Sequence, residues 1–282
     1  MAVFRAVETA EPASRRLFED HYAEALLTGK LKALAAFARL PAIGRAATWF
    51  LDIGWPRTRS SAVVRTRAID DLVRQAIRDG ARQFLMLGAG FDSRPYRLPE
   101  ARGTVVFEVD HPSTQTAKRA RLARQLGSAL DHVRFVPVDF EKDSLADALH
   151  RAGFQIGECT VAVWEGVVSY LTAEAVDHNF RTLARLLAPG SSLIFTYVHR
   201  GALDGSVAFA EASRWKSSVG SAGEPFIFGF DPGELADYLA ARGFTLTSDE
   251  STAAAAARYC APLHRREPGS ELYRIAGTRR AL

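Results

Sequence analysis

The 282-residue chain contains only two cysteines and two methionines, no long apolar run and no concentrated block of charge. Each shortage removes a class of protein. Cys159 and Cys260 are too few for a disulfide scaffold and too far apart for a metal knuckle, so two ordinary thiols of a reducing compartment are expected and no metal site. No uninterrupted apolar stretch approaches the ~20 residues that a membrane-crossing helix needs. The N-terminal run MAVFRAVETAEPASRR lacks the apolar segment and small-residue cleavage site of a secretory leader, which makes a cytoplasmic location the expectation. The formal charge of +4 comes mostly from arginines spread through the chain, with short groups such as Arg119–Arg121–Arg124. A nucleic-acid binder more often carries a basic stripe interleaved with aromatics, so these arginines read as solvated helix faces, with neither nucleic acid nor membrane as partner. No internal repeat or low-complexity linker is present, and composition sets no oligomeric state.

Apolar residues make up 48% of the chain, enough to bury a continuous core, and their spacing alternates between two periods. Residues 1 to about 60 read as a helical, loop-rich N-terminal cap. His21–Leu27 and Leu31–Arg39 have helical spacing, Pro41 marks a stop, and Trp49, Phe50 and Trp55 follow in an irregular stretch. From about 61 onward the pattern is regular. Val64–Asp79 places Ile69, Leu72, Val73, Ala76 and Ile77 on one helical face, with Gly80 where the helix should end. Short apolar runs then recur at Phe84–Leu87, Thr104–Val109, Val133–Val138 and Thr160–Trp164, followed by a helix over 173–188 and a fifth run at Ser192–Val198. Asp231-Pro232-Gly233-Glu234 is a helix start, with an acid at the cap and proline at the first position, and that helix should reach Arg242. Phe244–Thr247 and Tyr273–Thr278 are candidate final strands, and residues 200–230 read as a long insertion suited to substrate contacts.

Wholly apolar strands separated by amphipathic helices imply a doubly wound, mostly parallel α/β sheet covered on both faces. The first four runs close on Gly88, Asp110, Asp139 and Glu165. Ligands of such sheets bind beyond the carboxyl ends of the strands, so these four positions are the first functional clue.

The segment Leu85-Met86-Leu87-Gly88-Ala89-Gly90-Phe91-Asp92-Ser93-Arg94 carries the chemistry. A strand ending in Gly-Ala-Gly lets the backbone turn tightly and approach a ligand that a side chain would block. A dinucleotide loop would continue to a third glycine, so that a helix N-terminus meets a pyrophosphate. Here Ser93 takes that place and Asp92 would repel phosphate, which suits a nucleoside without phosphates. Asp110, 20 residues after Gly90, sits where a carboxylate accepts from both ribose hydroxyls. The plainer reading of Asp110 is a cap on the helix beginning near Pro112. Asp139 could accept from an adenine amino group, with Phe140 beside the base.

Leu-Gly-Ala-Gly-Phe-Asp-Ser-Arg, Phe-Glu-Val-Asp-His-Pro at 107–112, Val-Asp-Phe at 138–140 and Glu-Gly-Val-Val-Ser-Tyr-Leu at 165–171 occur in that order. Together with Val64-Arg65-Thr66-Arg67 and Phe195-Thr196-Tyr197, this set resembles the leucine carboxyl methyltransferase family, including its bacterial small-molecule branch. The likeness covers residues 14–200 well and the rest loosely. It implies a seven-stranded Rossmann-like methyltransferase sheet, with an N-terminal helical cap (1–60) on a catalytic domain (61–282) and a lid at about 200–230. The implied cofactor is S-adenosylmethionine and the implied reaction is O-methylation of a small-molecule carboxylate or hydroxyl, as in secondary metabolism. By the same resemblance Arg65 would pair with the methionine carboxylate, Gly88, Ala89, Gly90 and Asp92 would form the loop, and Asp110 would hold the ribose. His111 would shield adenine, Asp139 and Phe140 would meet it, and Glu165 would face the sulfonium or ammonium. The family also places a basic residue near its N-terminus on the cofactor, for which Arg15 or Arg16 is the candidate. Tyr197 and His199, at the end of the fifth strand, are the candidate bases, although a structural role for each is at least as natural, and a carboxylate acceptor needs no base. Three other readings stand beside this one: a nicotinamide-dependent oxidoreductase, a non-catalytic binding protein, and carboxyl methylation of a protein C-terminus.

Overall fold

The computed structural model describes residues 1–39, 57–126, 131–139, 142–209 and 226–282. Trp49, Phe50, Trp55, Phe140 and most of the expected insertion lie outside these. Seven strands form one sheet: β1 (Gln83–Leu87), β2 (Val105–Asp110), β3 (Val133–Pro137), β4 (Thr160–Trp164), β5 (Ser192–Val198), β6 (Phe244–Ser251) and β7 (Tyr273–Arg280). Their order is β3-β2-β1-β4-β5-β7-β6. The first five strands are mutually parallel, while β7 runs antiparallel between β5 and β6. The fold is therefore the doubly wound, mostly parallel α/β sheet that the strand pattern implied.

Around the sheet lie α1 (Ala2–Ala10), α2 (Gly29–Ala38), α3 (Thr58–Arg78), α4 (Arg94–Arg97), α5 (Pro112–Leu126), α6 (Leu145–Arg151), α7 (Ala173–Leu186), α8 (Arg200–Asp204), α9 (Leu235–Ala240) and α10 (Thr252–Cys260). Strand period 2 divides the core between two layers. Phe84 and Met86 of β1 join the layer built with α1, α3 and α10, while Leu85 and Leu87 join Leu183 and Phe180 of α7 in the other. In α3, Ala62, Ile69, Val73 and Ala76 are buried at helical spacing, and Asp79 and Gly80 (φ +109°) end the helix. Because α3 begins at Thr58, it runs across the cap boundary expected near residue 60. No described helix is long and apolar enough to cross a membrane.

Two local expectations need correction. His21–Leu27 forms turns rather than a helix, with Asp20 Oδ1 accepting from the Tyr22 and Ala23 amides (3.0 Å each) and diverting the backbone. The helix expected from residue 231 begins only at Leu235, since Asp231 Oδ1 binds the Gly233 amide (2.8 Å) in a turn. The alanine run at 253–257 belongs to α10, capped by Ser251 Oγ on the Ala254 amide (3.1 Å).

Candidate active site

The strand order reverses between β1 and β4, so the loops leaving them diverge to opposite sides and open a crevice. A cavity of about 290 Å³ lies there, lined by Gly88, Ala89, Gly90, Phe91 and Asp92 after β1, Glu165 and Gly166 after β4, Arg65 of α3, and Ala2 and Arg5 of α1. The loop glycines are needed. Gly88 and Gly90 have φ of +63° and +45°, and a Cβ on Gly88 would stand 2.6 Å from Val167 Cγ2. The Ala89 amide donates to the Val109 carbonyl (3.0 Å), and the Gly90 amide donates to Asp110 Oδ2. Asp110 thus stands at the edge of the loop. It ties β2 to the glycine turn and accepts from the His111 amide on its other oxygen (2.6 Å). Across the crevice, the Gly166 amide donates to Thr196 Oγ1 of β5 (2.8 Å), fixing the peptide after Glu165.

Charge in the cavity is arranged in pairs. Arg65 is buried and donates through Nε to Glu165 Oε1 (2.7 Å), and its remaining N–H groups have no partner among the described residues. Arg94 donates to Glu165 Oε2 (2.6 Å) and pairs with Asp92. Burial pushes the Glu165 carboxyl up, but Arg94 and Arg65 outweigh it and hold it below the usual glutamate value. Burial acts likewise on Asp92, and Arg94, with Arg5 and Arg97, overcomes it to hold that acid well below the usual range. Both carboxylates are therefore anionic at neutral pH. Asp92 was read as repelling phosphate, but its charge is offset by Arg94, so the preference for an unphosphorylated nucleoside rests on the missing third glycine.

The expected site residues fall into three groups. Arg65, Gly88, Ala89, Gly90, Asp92 and Glu165 line the cavity and Asp110 borders it. His111 and Asp139 follow the carboxyl ends of β2 and β3 outside the lining, His111 exposed with Nδ1 on Ser113 Oγ (2.7 Å) and Asp139 paired with Lys142 (2.8 Å). Phe140 lies outside the described residues. Tyr197 and His199 do not line the cavity. The Tyr197 side chain is buried against Phe195 and Phe230, its hydroxyl donates to Asp249 Oδ2 (2.9 Å), and Arg274 Nε donates to it (3.0 Å). Burial, then Asp249, raises this phenol well above its ordinary value, which is the wrong direction for a base. His199 Nδ1 accepts from the Gly201 amide (3.0 Å) and caps α8, and its ring lies against Phe209.

Arg15 and Arg16 are also absent from the lining, where Arg5 takes the basic position. Arg5 Nε donates to Asp20 (2.8 Å) and its Nη2 to the Phe91 carbonyl (2.6 Å), so α1 is tied to the glycine loop. The signal for Arg5 was an arginine inside the apolar run Val3-Phe4-Arg5-Ala6-Val7, on a helix whose other buried positions, Glu8 apart, are apolar. The Phe91 ring is held from outside by the Arg121 guanidinium, 4.5 Å from its centroid.

A mostly parallel sheet with an antiparallel seventh strand, a glycine turn after β1 and acids after β2 and β4 together define a nucleoside-binding α/β protein of the methyltransferase-like class. Residues 1–184 match the leucine carboxyl methyltransferase family, and the chain belongs to it. A Frankia alni protein named as a candidate S-adenosyl-L-methionine-dependent methyltransferase is 40% identical over 202 residues, covering 70% of this chain and 66% of its own. A similarly named protein from Mycolicibacterium smegmatis is 35% identical over 256 residues, covering 88% of this chain and 82% of its own. The first two such relatives are matched over just under two thirds of their length, 66% and 64%. A crystal structure of a candidate methyltransferase from Thermobifida fusca superposes with a TM-score of 0.60 at 20% identity, covering 97% of this chain and 96% of that one, and shares the fold.

Proposed function

We propose that this chain is an S-adenosylmethionine-dependent methyltransferase that moves a methyl group to an oxygen of a small molecule. The observation that carries the reading is the crevice between β1 and β4. There, N–H groups of Arg65 that have no partner among the described residues share the cavity with the anionic Glu165, beside a glycine turn that Asp110 borders. An amino-acid tail with a carboxylate and an ammonium fits that pairing of opposite charges, and a ribose fits a carboxylate at the turn. The residues present therefore fit the donor, which supplies an electrophilic methyl on a positively charged sulfur.

In this reading Arg65 binds the tail carboxylate and Arg5 adds positive charge from α1. Gly88, Ala89 and Gly90 give the ligand backbone contact, Asp110 accepts from the ribose, and Glu165 holds the cationic end. Asp92 stiffens the loop through Arg94 rather than meeting the ligand alone. His111, Asp139 and Phe140 border the adenine. Ala2 and Arg5 of α1 wall one side of the cleft, and holding donor and acceptor aligned there lowers the barrier by roughly several kcal/mol.

A carboxylate acceptor is favoured over a hydroxyl. Both cavity carboxylates are engaged by arginine, Tyr197 is locked between Asp249 and Arg274, and His199 caps a helix, so an acceptor that is already an anion suits the site. Calorimetric titration with S-adenosylmethionine, NAD and NADP tests the assignment. Micromolar binding of the first alone, weakened at least tenfold by Asp110→Ala, is expected. Binding of a nicotinamide cofactor, or of none of the three, would overturn it.

A further inference from the structure

Arg94 does not line the cavity, yet it sits behind it at a junction of three carboxylates. It is 2% exposed. Its Nε donates to Asp70 Oδ1 (2.8 Å), its Nη1 binds both Asp92 and Glu165 Oε2 (2.6 Å), and its Nη2 reaches the Thr66 carbonyl (3.4 Å). Asp70, with no exposed side chain, also takes both terminal nitrogens of Arg97. Asp20 binds Arg5 (2.8 Å) and accepts from Ser93 Oγ (2.5 Å). Four carboxylates (Asp20, Asp70, Asp92, Glu165) thus meet four guanidiniums (Arg5, Arg65, Arg94, Arg97), and the cluster is neutral. Among the described residues, Arg94 alone touches acids from both cavity walls, Asp92 on the β1 loop and Glu165 after β4.

We propose that Arg94 is a positioning residue for the methyl donor: it clamps Asp92 to Glu165 across the β1–β4 crevice and keeps the Glu165 carboxylate aimed at the donor's positive end. The assignment rests on the donor reading given above. Without the guanidinium, Asp92 and Glu165 would face each other as buried like charges with no cation between them, and one would take up a proton. The groups that face Glu165 are Arg65 from α3, Arg94 and Asp92 from the β1 side, and the Met1 amine at the start of α1, which lines the cavity with Arg5 and whose pKa is lowered by burial to about 6. With Arg94 gone, Glu165 keeps Arg65 as its direct partner, while Asp92 loses its ion-pair partner and keeps only the charges of Arg5 and Arg97. The Glu165 carboxyl then titrates at higher pH. Relative to the native chain at each pH, with which the variant shares the Met1 amine, donor affinity would fall as pH decreases.

The test is calorimetric titration of S-adenosylmethionine into the full chain and into Arg94→Met and Arg94→Lys, from pH 5.5 to 8. Arg94→Met should bind about tenfold more weakly than the native chain at pH 8 and lose roughly another tenfold relative to it by pH 5.5, one pKa unit being worth a factor of ten. Arg94→Lys keeps the charge but cannot span three acids, so it should recover part of the affinity and most of the native pH profile. If Arg94→Met does not fold, judged by circular dichroism, the lysine variant decides: wild-type affinity and profile would overturn the proposal. An Arg94→Met affinity that drops equally at every pH would also overturn it, since that marks a scaffold role alone. Failure of the unaltered chain to bind the donor would instead refute the cofactor reading, and this assignment with it.

Discussion

Gly88 is the position where a single added carbon should cost most. Two separate penalties apply to Gly88→Ala. The backbone at φ +63° is left-handed, which costs an L-residue about 1–2 kcal/mol. The new Cβ would also lie 2.6 Å from Val167 Cγ2, and a β-branched valine has few rotamers into which to retreat. Overpacking of that kind costs about 1–3 kcal/mol, so the total is about 2–5 kcal/mol. At ~3 kcal/mol per molar urea, the unfolding midpoint should fall by roughly 1 M with the slope unchanged. Because relief comes by moving the loop, affinity for S-adenosylmethionine should fall with it. A double-mutant cycle with Val167→Ala separates the two penalties: the pair should be more stable than the sum of the single effects by about 1–3 kcal/mol, while the backbone cost persists. Additive effects would refute the steric part, and a neutral Gly88→Ala would refute the whole account of the turn.

Two further outcomes are expected. Tyr197→Phe leaves Asp249 paired with Arg274, so it should lower stability by about 1–2 kcal/mol and leave the pH profile of turnover unchanged, measured once an acceptor is in hand; a hundredfold loss of kcat would restore Tyr197 as a base. Arg265→Ala strips the bidentate partner (2.6 and 2.9 Å) from Glu8, whose side chain is fully buried, and should cost about 3–5 kcal/mol in denaturant unfolding; a loss under 1 kcal/mol would show that α1 is not anchored through this pair.

The central parallel strands were legible because burial on both faces forces unbroken apolar runs. Phe84–Leu87 and Thr160–Trp164 admit few other readings. Gly88, Gly90 and Asp110 were legible for a related reason, since a tight turn at a strand end tolerates few residue types. The helix expected over His21–Leu27 failed because apolar spacing is blind to a side chain that competes for backbone amides, as Asp20 does here. Tyr197 and His199 were placed correctly at the end of β5, but position along a strand does not say which way a hydroxyl or a ring points. Asp249 and Arg274, which hold the Tyr197 hydroxyl, stand 52 and 77 residues further along the chain.

What the sequence by itself determined is everything written in local periodicity and turn chemistry: an α/β sheet, the glycine loop after β1, the acids after β2 and β4, and membership of a methyltransferase family through motifs in a fixed order. Tertiary structure decided which charges meet. Arg5 rather than Arg15 or Arg16 reaches the cavity, and Arg94 joins Asp70, Asp92 and Glu165. Glu8 finds its partner 257 residues away at Arg265. A buried ion pair leaves no periodic trace, because its two halves are chosen by the packing of distant elements and each half alone resembles an ordinary surface charge.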